Sequence, residues 1–121
     1  MYNIKKYLKV FVLLLVTLII SCATFINDEQ AGSLDSYEDG VYRMKQDVSV
    51  NNLNLKKGEK VRLMVIAEED AVKVYAYNAD MSYLQAERVL ILYMFDADFK
   101  EGVFDKSYFH SKLMEIVEPV Q

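Results

Sequence analysis

The sequence predicts a mainly β domain, small and antiparallel, carried behind an N-terminal signal segment. Three observations predict it. Val48-Ser49-Val50 and Leu53-Asn54-Leu55 alternate apolar and polar residues at the two-residue period of a half-buried strand. Two longer apolar segments, Val61–Ala67 and Ala71–Tyr77, are separated only by Glu68-Glu69-Asp70, the form of a hairpin with a polar tip. Val89–Phe95 then supplies seven consecutive apolar residues, the length of a buried strand.

The chain opens with Lys5, Lys6 and Lys9, an uncharged apolar run from Val10 to Ile20, then Ser21 and Cys22. A basic start, an apolar centre and a small residue before the cut have the form of a secretory signal peptide over residues 1–21. The 100 residues from Cys22 onward hold 18 acidic and 11 basic side chains, a net charge of −7. That length allows one modest core. The acidic balance leaves no basic patch, so nucleic acid is not an expected partner. A single cysteine excludes an intramolecular disulfide, although an exported chain could have used one.

Ile19-Ile20-Ser21-Cys22 resembles the lipobox of bacterial lipoproteins. The resemblance implies a diacylglyceryl thioether on Cys22, cleavage before it and acylation of the new amino terminus. Several acyl chains make such an attachment stable, where one alone is marginal. Two alternatives stay open: an uncut helix over the 17 uncharged residues Val10–Ile26, at the lower limit of a membrane span, and an ordinary cut that frees the protein. Ala23 rather than Asp follows the cysteine, which by enteric-type sorting favours the outer membrane over the inner.

Along the mature chain, residues 22–39 are expected to form a lipidated flexible tether, because Asn27, Asp28, Glu29, Gln30, Gly32, Ser33, Asp35 and Ser36 bury little. The folded domain is expected over residues 40–118. Within it Lys56-Lys57-Gly58-Glu59 reads as a turn. In the strand Val72–Tyr77, period two turns Val72, Val74 and Ala76 to the core and Lys73, Tyr75 and Tyr77 to the opposite face. Ser82 and Gln85 have capping-box spacing. The expectation is a turn or short helix over 82–87 and a strand over 88–95, with a helix over 83–95 as the alternative. Asp105 is placed to cap a helical turn over 106–110, Phe109, Leu113, Ile116 and Val117 also fit one longer helix, and Pro119 should end regular structure.

Two segments resemble the SH3 fold. Leu53 to Val61, through Lys56-Lys57-Gly58-Glu59, looks like its diverging turn; Gly102-Val103-Phe104-Asp105-Lys106-Ser107-Tyr108-Phe109 looks like the motif before its last strand. The resemblance implies an SH3-like barrel over residues 40–118 with an insertion in 79–101. It also implies a 3₁₀ turn over 105–110 and a last strand over 113–117, preferred here to the long helix. The proline-binding face of eukaryotic SH3 domains is not implied. Tyr42 and Tyr108 match aromatic positions of that groove, but Met44 and Asp105 break its pattern and the chain has no tryptophan. The stretch Val89–Phe95 with Asp98-Phe99, Phe104-Asp105 and Leu113–Val117 also resembles small lipoproteins associated with type II secretion. That likeness implies docking or stabilisation of secretion components at a membrane.

Catalytic chemistry finds no foothold. His110 is the only histidine and Cys22 the only cysteine, so no zinc site is expected. Ser82, Ser107 and Ser111 lack the surroundings of a nucleophile elbow. Asp96-Ala97-Asp98 begins like a calcium loop but fails at Lys100 and places Gly102 too late. Glu68, Glu69 and Asp70 read as a tip that keeps sheet edges apart. No enzyme activity, cofactor or metal is expected. Nine tyrosines and six phenylalanines exceed what a small core needs, so some should be exposed at an interface. Tyr42, Tyr75, Tyr77, Tyr93 and Tyr108 are the candidate partner surface. The expected function is a lipid-anchored binding or scaffolding module of the cell envelope, whose partner is an envelope protein such as a secretion component. The alternative is a peptidoglycan-binding SH3-type lipoprotein.

Overall fold

The computed structural model describes residues 24–82 and 84–120; the expected signal segment, residues 1–21, and Cys22 lie outside them. Seven strands form two antiparallel sheets: β1 (Tyr42–Met44), β2 (Val48–Val50), β3 (Leu53–Leu55), β4 (Lys60–Ala67), β5 (Ala71–Asn78), β6 (Val89–Phe95) and β7 (Val117–Pro119). The larger sheet has the order β6-β5-β4-β1-β7, and β2 pairs with β3 in the smaller one. The class expected from sequence, a small mainly β antiparallel domain, is the one observed. Among the described residues two helices complete it, α1 (Asp28–Ser33) and α2 (Lys106–Leu113), with short 3₁₀ turns at Leu34–Asp39, Asp96–Asp98 and Lys100–Gly102.

The β4–β5 hairpin follows the sequence pattern. Its register runs from Val61 opposite Asn78 to Ala67 opposite Val72. The Glu68 N–H donates to the Ala71 carbonyl at 2.8 Å, closing the acidic tip. Val72, Val74 and Ala76 are fully buried, as period two requires. The ladder between β5 and β6 shifts at Val74/Tyr75: Val74 faces Leu92 and Tyr75 faces Leu90, leaving Ile91 as the extra residue of a bulge. This shift lets Val89, Ile91 and Met94 all bury while Tyr93 and Phe95 face outward. An apolar run with no alternation is thereby used on both faces.

Turn chemistry sets the short connections. Asn51 takes a positive φ of 55° between β2 and β3, a conformation that asparagine tolerates. Gly58 sits at φ 89° in the turn before β4, where a side chain would be strained. Glu59 closes that turn, its Oε2 accepting the Lys56 N–H at 3.0 Å. The β2–β3 hairpin packs against β6.

Two expectations are corrected. Residues 24–39, assigned to the tether, are folded. Asn27 and Gln30 form a capping box: the Gln30 N–H donates to Asn27 Oδ1 at 2.8 Å and the Asn27 N–H to Gln30 Oε1 at 3.0 Å. Phe25, Ile26, Leu34 and Tyr37 are buried in the core, so four apolar residues outweigh the polar ones between them. The 3₁₀ turn at Leu34–Asp39 also covers an open edge. β1 pairs with β4 only at Lys60 and Val61, and further along Glu38 Oε1 accepts the Val65 N–H at 3.2 Å.

The second correction is at the C-terminus. Residues 106–113 are an α-helix rather than a 3₁₀ turn, and the last strand is Val117–Pro119 rather than 113–117. Phe109 and Leu113, four residues apart, both bury completely on one helix face. Asp105 is the cap, its Oδ1 accepting from Ser107 N–H at 3.0 Å and Tyr108 N–H at 3.4 Å. Asp105→Ala should therefore cost about 1 kcal/mol, read as a lower urea midpoint with an unchanged slope. Pro119 is the last residue of β7, opposite Tyr42, so the regular structure ends there as expected. An edge strand permits a proline, because one side of it needs no donor.

The core is built around rings. Phe25 lies 5.3 Å from Phe99 and 6.0 Å from Phe104 between centroids, Phe104 lies 5.7 Å from Phe109, and Phe109 lies 5.6 Å from Tyr37. Tilted and edge-on packing of this kind adds about 0.5–1.5 kcal/mol per pair beyond area burial. The segment before the predicted domain thus supplies its outer wall.

Candidate functional site

Alternation places one set of side chains on the outer face of β4, β5 and β6. Across that face lie Met64 and Ile66, then Lys73 and Tyr75, then Leu90, Tyr93 and Phe95, with Met64 opposite Tyr75, Ile66 opposite Lys73, Lys73 opposite Tyr93 and Tyr75 opposite Leu90. Tyr93 and Phe95, two residues apart on one strand face, stack with centroids 4.3 Å apart and planes 25° from parallel. They stay 37% and 47% exposed. Ile66 is also exposed. Among the described residues, then, this face is an apolar, aromatic surface open to solvent at β6.

Lys73 is the charged group of this face beside Tyr93. Its Nζ lies 4.9 Å from the Tyr93 ring centroid and 2.7 Å from Glu68 Oε1. The hydrogen bond to Glu68 raises the Lys73 pKa above the ordinary lysine value, against a smaller opposing effect of desolvation. A raised lysine pKa means the contact is intact through neutral pH and is lost only as pH rises through that value. At any physiological pH the cation is present beside the aromatic pair.

The five tyrosines of the expected partner surface do not come together. Tyr75 is half-buried and Tyr93 exposed on the sheet face, as expected. Tyr77 is a correction: it belongs to that face by register but is only 7% exposed. On the same face the Arg88 side chain, from just before β6, reaches across β5 to within 3.4 Å of Met64 Sδ. Tyr42 is a second correction, since it turns into the core beside buried Met44. Tyr108 is exposed, but on α2, edge-on to Phe99 at 5.6 Å. Phe95 is the member that sequence reasoning missed. Its signal was present: two residues from Tyr93 within one strand puts both on the same side.

The histidine has a partner. Tyr37 Oη and His110 Nδ1 are 2.7 Å apart. Burial, with a smaller effect of Tyr42, raises the Tyr37 pKa, so this phenol is a neutral hydroxyl at physiological pH. Tyr37, Lys106, Ser107 and His110 line an open hollow of about 350 Å³. Among the described residues no carboxylate lines it to orient the imidazole, the third member a nucleophilic triad needs. A second groove, of about 360 Å³, lies between β3 and the 78–89 connection and carries Asn52, Asn54, Asn78 and Gln85 with Glu59 and Glu87. Among the described residues no three His, Cys, Asp or Glu side chains converge as a metal site, and no helix is long and apolar enough to cross a membrane.

Comparison with protein-family models, curated proteins and solved structures finds no match to this chain. The chemistry of the faces is then the basis for function. Exposed stacked aromatics beside aliphatic side chains and one cation form the usual centre of a protein-binding patch, where desolvating a few large rings supplies most of the energy. The amide-rich groove offers donors and acceptors and, among the described residues, no ring to stack on.

Proposed function

We propose that this chain is a lipid-anchored lipoprotein of the bacterial cell envelope that works as a binding or scaffolding module. Its lipid is carried on Cys22, its membrane is the outer one, and its partner is an envelope protein, such as a type II secretion component. The single observation that carries the binding role is the exposed Tyr93–Phe95 stack on the outer face of β6. The lipobox-like Ile19-Ile20-Ser21-Cys22 supports the anchor. The SH3-like reading is supported by five antiparallel strands with a hairpin after the first and a helical segment before the last. A photocrosslinking residue at position 95 in living cells should capture one envelope protein, while the same residue at position 84 should not. Capture of nothing at 95, or the same products at both positions, rejects this role for the face.

The groove of Asn52, Asn54, Asn78 and Gln85 favours a second reading, in which the domain holds peptidoglycan through hydrogen bonds to polar sugar and peptide groups. It predicts that the soluble domain sediments with purified sacculi and that Asn54→Ala with Asn78→Ala releases it.

A further inference from the structure

We infer that the domain is seated directly on the bilayer, with the pole formed by Thr24, Val103 and Tyr108 as its lipid-facing surface. This rests on the lipid-anchor reading of Cys22. Three peptide units join Cys22 to Phe25, a reach of at most about 11 Å. Phe25 is itself fixed. Its ring packs on Phe99 and Phe104, and its carbonyl accepts the Phe104 N–H at 2.9 Å. The next turn is held as well, since Gln30 Nε2 donates to the Phe104 carbonyl at 3.3 Å. An anchored chain that enters the core this soon leaves the domain no freedom to stand away from the membrane.

The residues beside that entry point suit the position. Thr24, the residue before Phe25, is exposed and carries a methyl beside its hydroxyl. Val103, which precedes the residue bonded to Phe25, is 41% exposed, and Tyr108, whose ring meets Phe99, is 39% exposed. Lys100 is exposed next to them. A tyrosine and a long-stemmed lysine are side chains that place an apolar body below a wet, polar tip at headgroup level. Two carboxylates of this pole are turned onto backbone: Asp98 Oδ2 accepts the Phe95 N–H at 2.8 Å and Asp105 Oδ1 the Ser107 N–H at 3.0 Å. Among the described residues this surface has no cationic excess with which to seek a membrane alone. The acyl chains bring it there, and the short connection decides which side faces down.

The opposite pole is one strand away. β6 runs from Val89 to Phe95, about 20 Å, so the connection before it, where Leu84 is 88% exposed, is carried far from the anchor.

The chain contains no tryptophan, so a single one reports its own depth. Val103→Trp, Tyr108→Trp and Leu84→Trp would each be made in the full-length, lipid-modified protein and reconstituted into phosphatidylcholine vesicles containing acyl-brominated phosphatidylcholine. Emission from positions 103 and 108 should fall roughly two-fold or more, as for groups held within about 5–10 Å of the acyl boundary, and emission from position 84 should not change. Equal quenching at all three positions, or none at 103 and 108, in protein whose intact mass includes the lipid overturns the seating alone. A chain whose mass carries no lipid overturns the anchor and the seating with it.

Discussion

Replacing Phe25 with alanine is expected to destabilise the domain by about 3–5 kcal/mol, the usual cost of truncating a buried phenylalanine. The residue lies in a stretch whose composition reads as tether, and a tether residue would cost nothing. Its ring closes one side of the cluster formed with Phe99 and Phe104, and its carbonyl bonds the Phe104 N–H. Removing the ring leaves a void against both phenylalanines and loosens the entry to α1. For a domain of about 100 residues, 1 kcal/mol corresponds to about 4–8 °C, so the midpoint of thermal unfolding should fall by at least about 12 °C. Asp28→Ala, exposed in the same stretch, should leave it nearly unchanged. An unaltered melting temperature in the Phe25 variant would mean that the fold begins at Gly40 after all.

The second large effect concerns binding rather than folding. The double variant Tyr93→Ser, Phe95→Ser should weaken partner capture at least ten-fold, because each ring has the size and position of a residue worth about 2 kcal/mol when truncated at an interface. Capture is read as crosslinking yield from Ile66, exposed on the same face. The fold should survive, since both rings are outside the core and lose their mutual stack, about 0.5–1.5 kcal/mol, and the Lys73 cation over Tyr93, about 0.5–1 kcal/mol. Undiminished capture by the folded double variant would move the binding site elsewhere, and the amide-lined groove would be the next place to look.

The sheet was largely legible in the sequence. The hairpin from Val61 to Tyr77 combines period two with a charged tip, and no other element has that pattern at that length. β6 was legible from its length and apolar content, but not its bulge, because an unbroken apolar run carries no phase to show where Ile91 is inserted. The C-terminal segment held two signals that competed. Asp105 announced a cap, and the i, i+4 pair Phe109 and Leu113 announced a helix of two turns, whereas the SH3 resemblance favoured a shorter turn. Local periodicity won, up to Leu113.

The N-terminal wall and the partner face were harder to read. Polar residues outnumber apolar ones between Thr24 and Asp39, so composition hid the four that bury. Asn27 and Gln30 at capping-box spacing, with Ile26 just before them, were the signal that a helix starts there. For the tyrosines, strand alternation gave the correct side for Tyr75 and Tyr77. It could not give exposure, since Tyr77 is buried on the same face on which Tyr93 is open. Tyr42 was assigned by its match to an SH3 groove position, while its place opposite Val61 on the core side of β1 is a property of pairing.

On the proposed reading, placement at a membrane sets the effective concentration of this small domain near a partner. The intact mass of the mature protein, purified from the membrane fraction, tests this most directly. A chain beginning at Cys22 and carrying a diacylglyceryl group with an acylated amino terminus is the predicted result. A mature chain beginning at any other, unmodified residue would contradict it.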